Sequence, residues 1–142
     1  MSTSSIKALH EIHTATNDVL KGYREMMVRA EPDIQTVIRR LTEMHLRHAS
    51  EQKDELARLR HAGQEDSSLQ GTVNKVVVIL RDWLTDLDRD VLPAVRKGEE
   101  SLRDQYDNAL DDLQAQEHPS VVALLQAQYE SISREIARLP EG

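Results

Sequence analysis

The chain has 142 residues, of which 39% are hydrophobic and 30% charged, and it contains one Trp, no Phe and no Cys. This length allows one domain with a sizeable core, and the composition favours long amphipathic helices over sheet, which prefers aromatic and β-branched residues. Without Cys the chain can form no disulfide, thiolate nucleophile or zinc ribbon. The net charge of −7 disfavours nucleic acid and anionic membranes as partners, because phosphate binding needs clustered Lys and Arg.

The first predicted helix covers residues from about 3 to 30, with Ser4 and Ser5 as candidate N-caps. Its inward positions alternate in steps of three and four residues, which is typical of a helix that packs nearly parallel to its neighbours. Two of these positions, His13 and Thr16, are polar and lie one turn apart. The inward set is Ile6, Leu9, His13, Thr16, Leu20, Tyr23, Met27 and Ala30.

The second predicted helix covers residues from about 32 to 61 and follows the break at Glu31-Pro32-Asp33. Proline is tolerated in a first turn, where its missing N–H costs little. So short a link predicts that the two helices are antiparallel neighbours. The inward face of this helix is apolar at both ends and polar in the middle, and its members are Ile34, Ile38, Leu41, His45, His48, Gln52, Glu55 and Leu59.

Three more helices are predicted after a polar loop that begins at about residue 62. They cover about 68–87, 91–116 and 119–139, and the second of them starts where Pro93 disfavours continuation through Leu92. The inward set of the helix over 91–116 is Val91, Ala94 or Val95, Gly98, Leu102, Gln105 or Tyr106, Ala109 and Leu113. That of the last helix is Val121, Val122, Leu125, Gln128, Tyr129, Ile132, Ile136 and Leu139.

These elements predict an all-α fold in a single domain over residues 1–142. The shorter helix over 68–87 lies between the second and third long helices. A connection that travels the length of a bundle makes the helices on either side of it parallel. We therefore predict an up-down-down-up four-helix bundle with an extra helix in the crossover, which is the ferritin-like arrangement.

Short motifs in this chain also resemble a known family. The first helix carries Lys21-Gly22-Tyr23-Arg24-Glu25, the crossover carries Ser68-Leu69-Gln70-Gly71 and Trp83, and the third long helix carries Gly98-Glu99-Glu100, Tyr106 and Ala109-Leu110. Together they resemble a bacterial family of ferritin-like helical bundles that is catalogued only as a domain of unknown function. More distantly, the chain is similar to rubrerythrins and bacterioferritins. The resemblance covers nearly the whole chain and implies a fold.

Because of this distant similarity, the chain can be compared with the ligand pattern of the ferritin-like di-iron site. That site takes a Glu from each of two helices and a Glu-x-x-His pair from each of the other two. In this chain His48, Glu99 and Glu130 match the pattern, whereas Thr16, His45 and Ser133 stand where Glu, Glu and His are required. The resemblance therefore does not imply an active di-iron oxidase.

A different metal site is one hypothesis for the polar middle of the bundle. His13, His45, His48 and Glu99 could converge there, with Glu130 or Glu135 opposite. Three imidazoles and a carboxylate would suit Zn²⁺ or a single Fe, Ni or Cu ion, so zinc or iron is the expected cofactor if one binds.

The other hypothesis, which we favour, is a hydrogen-bonded polar layer that fixes the register of the helices. Counting from the turn places His48 level with Thr16, within a turn of His13, and places His45 closer to Leu20. Gln52 and Gln128 are further candidate members. Tyr23, Tyr106 and Tyr129 are interpreted as core residues whose hydroxyl groups reach a polar partner.

The sequence thus favours a non-catalytic structural or interaction protein over an enzyme. We find neither a Gly-rich nucleophile elbow nor a Gly-rich phosphate loop. The first residues lack a signal-peptide pattern and the longest apolar run, Val76 to Leu80, is too short to span a bilayer, so a cytoplasmic location is expected. Apolar residues such as Val78 and Ile79 suggest a homodimer.

Overall fold

The computed structural model describes residues 2–61, 91–113 and 119–140. These residues form four helices: α1 over Ser2–Arg29, α2 over Pro32–His61, α3 over Val91–Leu113 and α4 over Pro119–Ala137. The prediction of an all-α fold is confirmed for this part of the chain, which contains no strand. The predicted helix over 68–87 and the crossover lie outside the described residues. None of the described helices is long and apolar enough to cross a membrane.

The break between α1 and α2 is closed by local hydrogen bonds. The Ala30 amide donates to the Met26 carbonyl at 2.9 Å, which ends α1, and the Gln35 side chain donates to the Met27 carbonyl at 3.1 Å. The Asp33 carboxylate accepts from the Ile34 amide at 3.0 Å. Free groups at both helix ends are therefore satisfied within a very short link.

Each described helix packs mainly against two of the others. α1 lies beside α2 and α3, and α4 lies beside the same two helices. The buried apolar side chains form one continuous cluster between the four helices, and its largest members are Tyr23 and Tyr106. Burial of this apolar surface is the main favourable term in the folding of such a bundle.

The buried face of α1 is wider than a single predicted seam. Ile12, Ala15, Val19 and Met26 are buried although the sequence pattern did not place them inward, whereas His13 and Met27 are only half-buried. The reason is that α1 contacts two neighbouring helices, and an apolar stripe of more than 100° is needed to cover both.

One inward prediction on α2 is wrong. Glu55 is half-buried at the surface, where its carboxylate pairs with Arg58 and accepts a hydrogen bond from the Ser120 hydroxyl at 2.8 Å. Leu56 occupies the buried position instead. On α3 the structure selects Val95 and Tyr106 from the predicted alternatives and also buries Glu99.

Candidate functional site

A buried carboxylate on α3 organises the first group of polar side chains in the core. Glu99 is 1% exposed and accepts hydrogen bonds from the Tyr23 hydroxyl on α1 and from Nε2 of His45 on α2. The His45 nitrogen lies 2.8 Å from Oε2 and 3.1 Å from Oε1 of Glu99. We call Tyr23, His45 and Glu99 the glutamate cluster. It links three of the described helices.

The direction of these hydrogen bonds follows from the chemistry of the groups. An ionised carboxylate only accepts hydrogen bonds, so Tyr23 and His45 must both donate. Burial, the negative charge of Glu99 and the hydrogen bond to it raise the pKa of Tyr23 well above its usual range. Tyr23 therefore keeps its proton, and His45 carries a proton on Nε2.

His48 lies next to this cluster on the same helix. Its ring centre is 5.9 Å from that of His45, in an edge-to-face arrangement, and its side chain is buried. Burial is the main cause that lowers the pKa of His48 from 6.5 to about 3. The His48 imidazole is therefore neutral at physiological pH.

Three buried polar atoms on α2 have no hydrogen-bond partner among residues 2–61, 91–113 and 119–140. They are Nδ1 of His45, Nδ1 of His48 and the hydroxyl oxygen of Thr42. Such atoms are rare in protein interiors, and each one calls for an explanation such as a bound water or ion. The buried polar atoms that lack hydrogen bonds in the described core are thus concentrated on this part of α2.

A second group of polar side chains surrounds Gln52. The two N–H groups of its amide face three acceptors, in Thr16 at 3.2 Å, Tyr106 at 2.9 Å and Gln128 at 2.9 Å, so one N–H is shared between two of them. Tyr106 also donates to Gln128 at 2.8 Å. Burial raises the pKa of the Tyr106 hydroxyl, so it too remains a donor. We call Thr16, Gln52, Tyr106 and Gln128 the glutamine cluster. It takes one side chain from every described helix.

The glutamine cluster reaches the surface on two sides. On one side Gln52 accepts from Nδ1 of the half-buried His13 at 3.0 Å, and Nε2 of His13 lies 3.3 Å from the exposed Asn17 amide. On the other side the Gln128 amide donates to the exposed Glu51 carboxylate at 2.9 Å. These bonds form one chain of consistent direction, from Asn17 through His13, Gln52 and Gln128 to Glu51.

The structure separates the residues of the predicted metal site. It brings His45, His48 and Glu99 close together, places His13 with Gln52 and leaves Glu130 exposed on α4. Glu135, the alternative to Glu130, pairs with Arg40 at 2.7 Å. Within the described ranges no group of three or more His, Asp and Glu side chains is arranged to hold a metal ion.

The predicted register between α1 and α2 is wrong by about one turn. Thr16 and His13 bond to Gln52, not to His48, and His45 lies 6.1 Å from Tyr23 between ring centres. Side chains tilt toward the N-terminus of their own helix. In an antiparallel pair, residues that meet are therefore farther along α2 than a count of Cα positions from the turn suggests.

The ferritin-like di-iron site does not fit these residues. Both oxygens of Glu99 already accept hydrogen bonds, Thr16 donates to the Ile12 carbonyl at 2.9 Å, and Ser133 lies 3.5 Å from the Arg103 guanidinium. Two iron ions need several free carboxylate ligands. No step of iron chemistry can therefore be assigned to this core.

Two participants were not identified from the sequence. Thr42 was not recognised because a threonine on α2 carries no pattern that separates a buried hydroxyl from an exposed one. Glu51 lies in a run of charged residues of mixed sign, a pattern that is typical of a solvated helix face, yet it accepts the last hydrogen bond of the glutamine cluster. Its position next to Gln52 gave no signal of that role.

A surface groove lies between α1 and α3. It has a volume of about 150 Å³, and its lining is Ala8, Ile12, Ala109, Glu11, Gln105, Asn108 and Asp112. This volume is well below that of an ordinary small-molecule pocket. The groove does not suggest an active site.

The comparisons with known proteins identify a family without a known activity. No curated protein and no solved structure matches the chain. A family model described as a domain of unknown function, DUF2383, matches residues 4–112. The matched range contains α2 and nearly all of α1 and α3, including both Glu99 and Gln52. Because the match covers well over half of the chain, this protein belongs to the DUF2383 family.

Proposed function

We propose that the chain is a non-catalytic helical-bundle protein, with a structural or interaction role, in which buried polar layers fix how the helices pack. The observation that carries the proposal is the position of Gln52, which hydrogen-bonds to side chains from all three other described helices. A helix that shifted by one turn would leave these buried groups unpaired, at a cost of about 1–3 kcal/mol each. Polar core residues of this kind can specify register.

The proposal includes a ferritin-like, up-down-down-up arrangement with a crossover helix. Residue pairs joined by hydrogen bonds, and the ring contact between His45 and Tyr23, support it. As the residue number on α2 increases, the number of the contacting residue decreases on α1 and on α4, so both are antiparallel to α2. On α3 the number of the contacting residue increases, so α3 is parallel to α2. The pairs are His45 with Tyr23 and Glu99, Gln52 with Thr16, Tyr106 and Gln128, and Arg40 with Glu135.

The test is to replace the glutamine cluster by an apolar layer of similar volume, with Gln52→Leu, Gln128→Leu and Tyr106→Phe combined. We expect the variant to keep its helix content but to lose a single packing arrangement, because the bonds that select register are gone. Circular dichroism would then be unchanged, while amide NMR signals broaden and thermal unfolding becomes less cooperative.

The matched control is Gln126→Leu, which changes a solvent-exposed glutamine on α4, the helix that also carries the buried Gln128. It should leave the NMR spectrum and the cooperativity of melting unchanged. A triple variant with sharp signals and an equally cooperative melt would contradict the proposal, since the polar layer would then not be needed for unique packing.

A second candidate function is binding of a transition metal. The observation that favours it is the presence of unpartnered imidazole nitrogens on His45 and His48 in the described core. The wider candidate set is His13, His45, His48, Glu99 and Glu130. Elemental mass spectrometry of protein purified without an affinity tag tests this function. About one equivalent of zinc or iron would support it, and metal-free protein that gains no thermal stability from added metal would exclude it.

Self-association as a homodimer is also part of the proposal. Its basis is the sequence, since Val78 and Ile79 lie outside the described residues. The acidic net charge of −7 gives no reason to expect a nucleic-acid partner. Sedimentation equilibrium provides the test: a mass of twice the 16.2 kDa of the chain is expected, and a monomer across the micromolar range would contradict it.

A further inference from the structure

We infer that Nδ1 of His45 and Nδ1 of His48 together bind one borderline divalent cation such as Zn²⁺, with Glu99 and Tyr23 orienting His45 instead of contacting the ion. This inference rests on the metal-binding candidate above and deepens it. It replaces the carboxylate-rich di-iron site, which these residues do not fit, by a site built from imidazole nitrogens.

The orientation of His45 is set by its hydrogen bond to Glu99. Its Nε2 donates to the Glu99 carboxylate at 2.8 Å, so a neutral His45 ring carries its lone pair on Nδ1. That atom is buried and finds no partner in the described part of the chain. Histidines that bind metals commonly donate their other ring N–H to a carboxylate, which fixes both tautomer and ring direction.

Glu99 is itself fixed by hydrogen bonds from two helices. A carboxylate that accepts from both His45 and Tyr23 is held in place by groups on α2 and α1. Tyr23 is fully buried and remains protonated, so it supports this orientation at neutral pH. Glu99 thus acts on the ion through His45, and Tyr23 acts through Glu99. Both are positioning residues.

His48 supplies the second ligand. It lies one turn after His45, is 4% exposed and has an unpartnered Nδ1 within the same described region. Two imidazoles that bind one ion with N–metal bonds of about 2.0–2.1 Å have ring centres roughly 5–6 Å apart. The observed separation of 5.9 Å falls in that range.

The chemistry of the donors selects the ion. Imidazole nitrogens suit Zn²⁺, Cu²⁺, Ni²⁺ and Co²⁺, whereas Mg²⁺ and Ca²⁺ need oxygen ligands. Thr42 lies one turn before His45, and its buried hydroxyl has no partner among the described residues. A water bound to the ion is the group that we expect this hydroxyl to contact.

The experiment titrates metal-free, untagged full-length protein with Zn²⁺ by calorimetry and with Co²⁺ by visible absorption. We expect about one equivalent of each ion to bind. His48→Gln should weaken binding at least 100-fold, and Tyr23→Phe, which leaves both ligands in place, should weaken it about 10–100-fold. His13→Gln and Glu130→Gln are the matched controls and should change affinity less than about twofold.

A measurement on the unmodified chain keeps the test independent of variant folding. Long-range ¹H–¹⁵N NMR should show the Nε2–H form of His45, and Zn²⁺ should shift the Nδ1 signals of His45 and His48. No binding to the wild-type chain at millimolar Zn²⁺ would overturn this inference and the metal-binding candidate, while the polar-layer proposal would stand. Binding that is lost in His13→Gln but kept in His48→Gln would overturn this inference alone.

Discussion

Glu99 brings a carboxylate into the interior of the bundle, where hydrogen bonds replace its contacts with water. Burial of an ionised carboxylate without such partners is very costly. Here Tyr23 and His45 donate to it from two different helices. Because hydrogen bonds to a charged group contribute about 1.5–3 kcal/mol each, this cluster supplies directional stabilisation that apolar packing alone does not.

We predict that Glu99→Gln lowers the free energy of unfolding by about 2–3 kcal/mol, because the neutral amide loses charge-assisted bonds and turns a donor toward Tyr23 or His45. Urea unfolding at pH 7 measures the change. Glu100→Gln is the control, since Glu100 is half-buried and forms an i, i+4 pair with Arg96 at 3.3 Å; it should cost less than about 0.5 kcal/mol. Equal losses in both variants would show that the buried cluster contributes no more to the free energy of unfolding than the surface pair does.

The lowered pKa of His48 predicts a loss of stability in weak acid. This pKa is about 3 in the folded chain, against 6.5 for a histidine side chain in water. The unfolded chain therefore binds a proton below pH 6.5 that the folded chain does not, so the contribution is constant above that pH and falls as pH decreases toward 3. Between pH 6.5 and 5 this single group should remove about 1.5 kcal/mol.

The measurement is urea unfolding at several pH values for wild type and His48→Gln. The variant should be less sensitive to pH in this range because the titrating group is gone. His10→Gln, a change at a half-buried histidine on α1, serves as the control and should keep the wild-type slope. A His48→Gln variant with an unchanged slope would mean that another group causes the acid sensitivity.

The residue types of the site were largely predictable, but their contacts were not. His45, His48, Gln52 and Gln128 stand at inward positions of helical patterns, and polar residues there are visible in the sequence. The sequence did not show that Gln52, and not His48, contacts Thr16 and His13, because this depends on how side chains tilt in three dimensions. Thr42 carried no pattern at all, and its importance follows only from an unpaired hydroxyl.

At the scale of the elements, the end of α4 is held by a side chain from α3. The Arg96 guanidinium donates to the carbonyls of Ile136 and Leu139 at 3.1 and 2.8 Å. The last carbonyls of a helix have no partner within the helix itself, so a cation at this end satisfies them and also interacts favourably with the helix dipole. α4 is thereby fixed to α3 where the described chain ends.

We predict that Arg96→Gln loosens the last turn of α4 without unfolding the bundle. Amide hydrogen exchange near Ile136 should become about 5- to 30-fold faster, which corresponds to a loss of about 1–2 kcal/mol. Lys97→Gln changes the exposed neighbouring residue on α3 and should leave exchange there unchanged. Uniform acceleration of exchange in all helices would instead mean that Arg96 stabilises the whole fold.

Helix positions were predictable because proline, glycine and the 3-4 apolar spacing are local signals. α2 begins at Pro32 and ends at His61, as its pattern indicated, and α1 ends at Arg29, one residue before the predicted end. The burial of Ile12 and Val19 was missed because it depends on a second neighbouring helix, α3, which is distant in sequence.

At the scale of the whole molecule, the two polar clusters divide the core into separate hydrogen-bonded units. The glutamate cluster joins α1, α2 and α3, and the glutamine cluster joins all four described helices. Within the described residues, no hydrogen bond connects a side chain of one cluster to a side chain of the other. Gln128 does reach the His48 backbone carbonyl, at 3.3 Å, but a side-chain substitution leaves that acceptor in place.

This division predicts which pairs of substitutions have additive effects on the free energy of unfolding and which do not. Tyr23→Phe and Tyr106→Phe each remove one buried hydroxyl, and they share no hydrogen-bond partner, so their effects on the free energy of unfolding should add within about 0.5 kcal/mol. Tyr106→Phe and Gln128→Leu act on one bond of 2.8 Å and on the same partner, Gln52. Their combined effect should be smaller than the sum by about 0.5–3 kcal/mol, because the second change removes a bond that the first has already broken. Denaturant unfolding of the six chains, wild type included, measures both couplings. Strong coupling between Tyr23 and Tyr106 would show that the core behaves as one polar network, and the helices would then be held in register by a single cooperative unit.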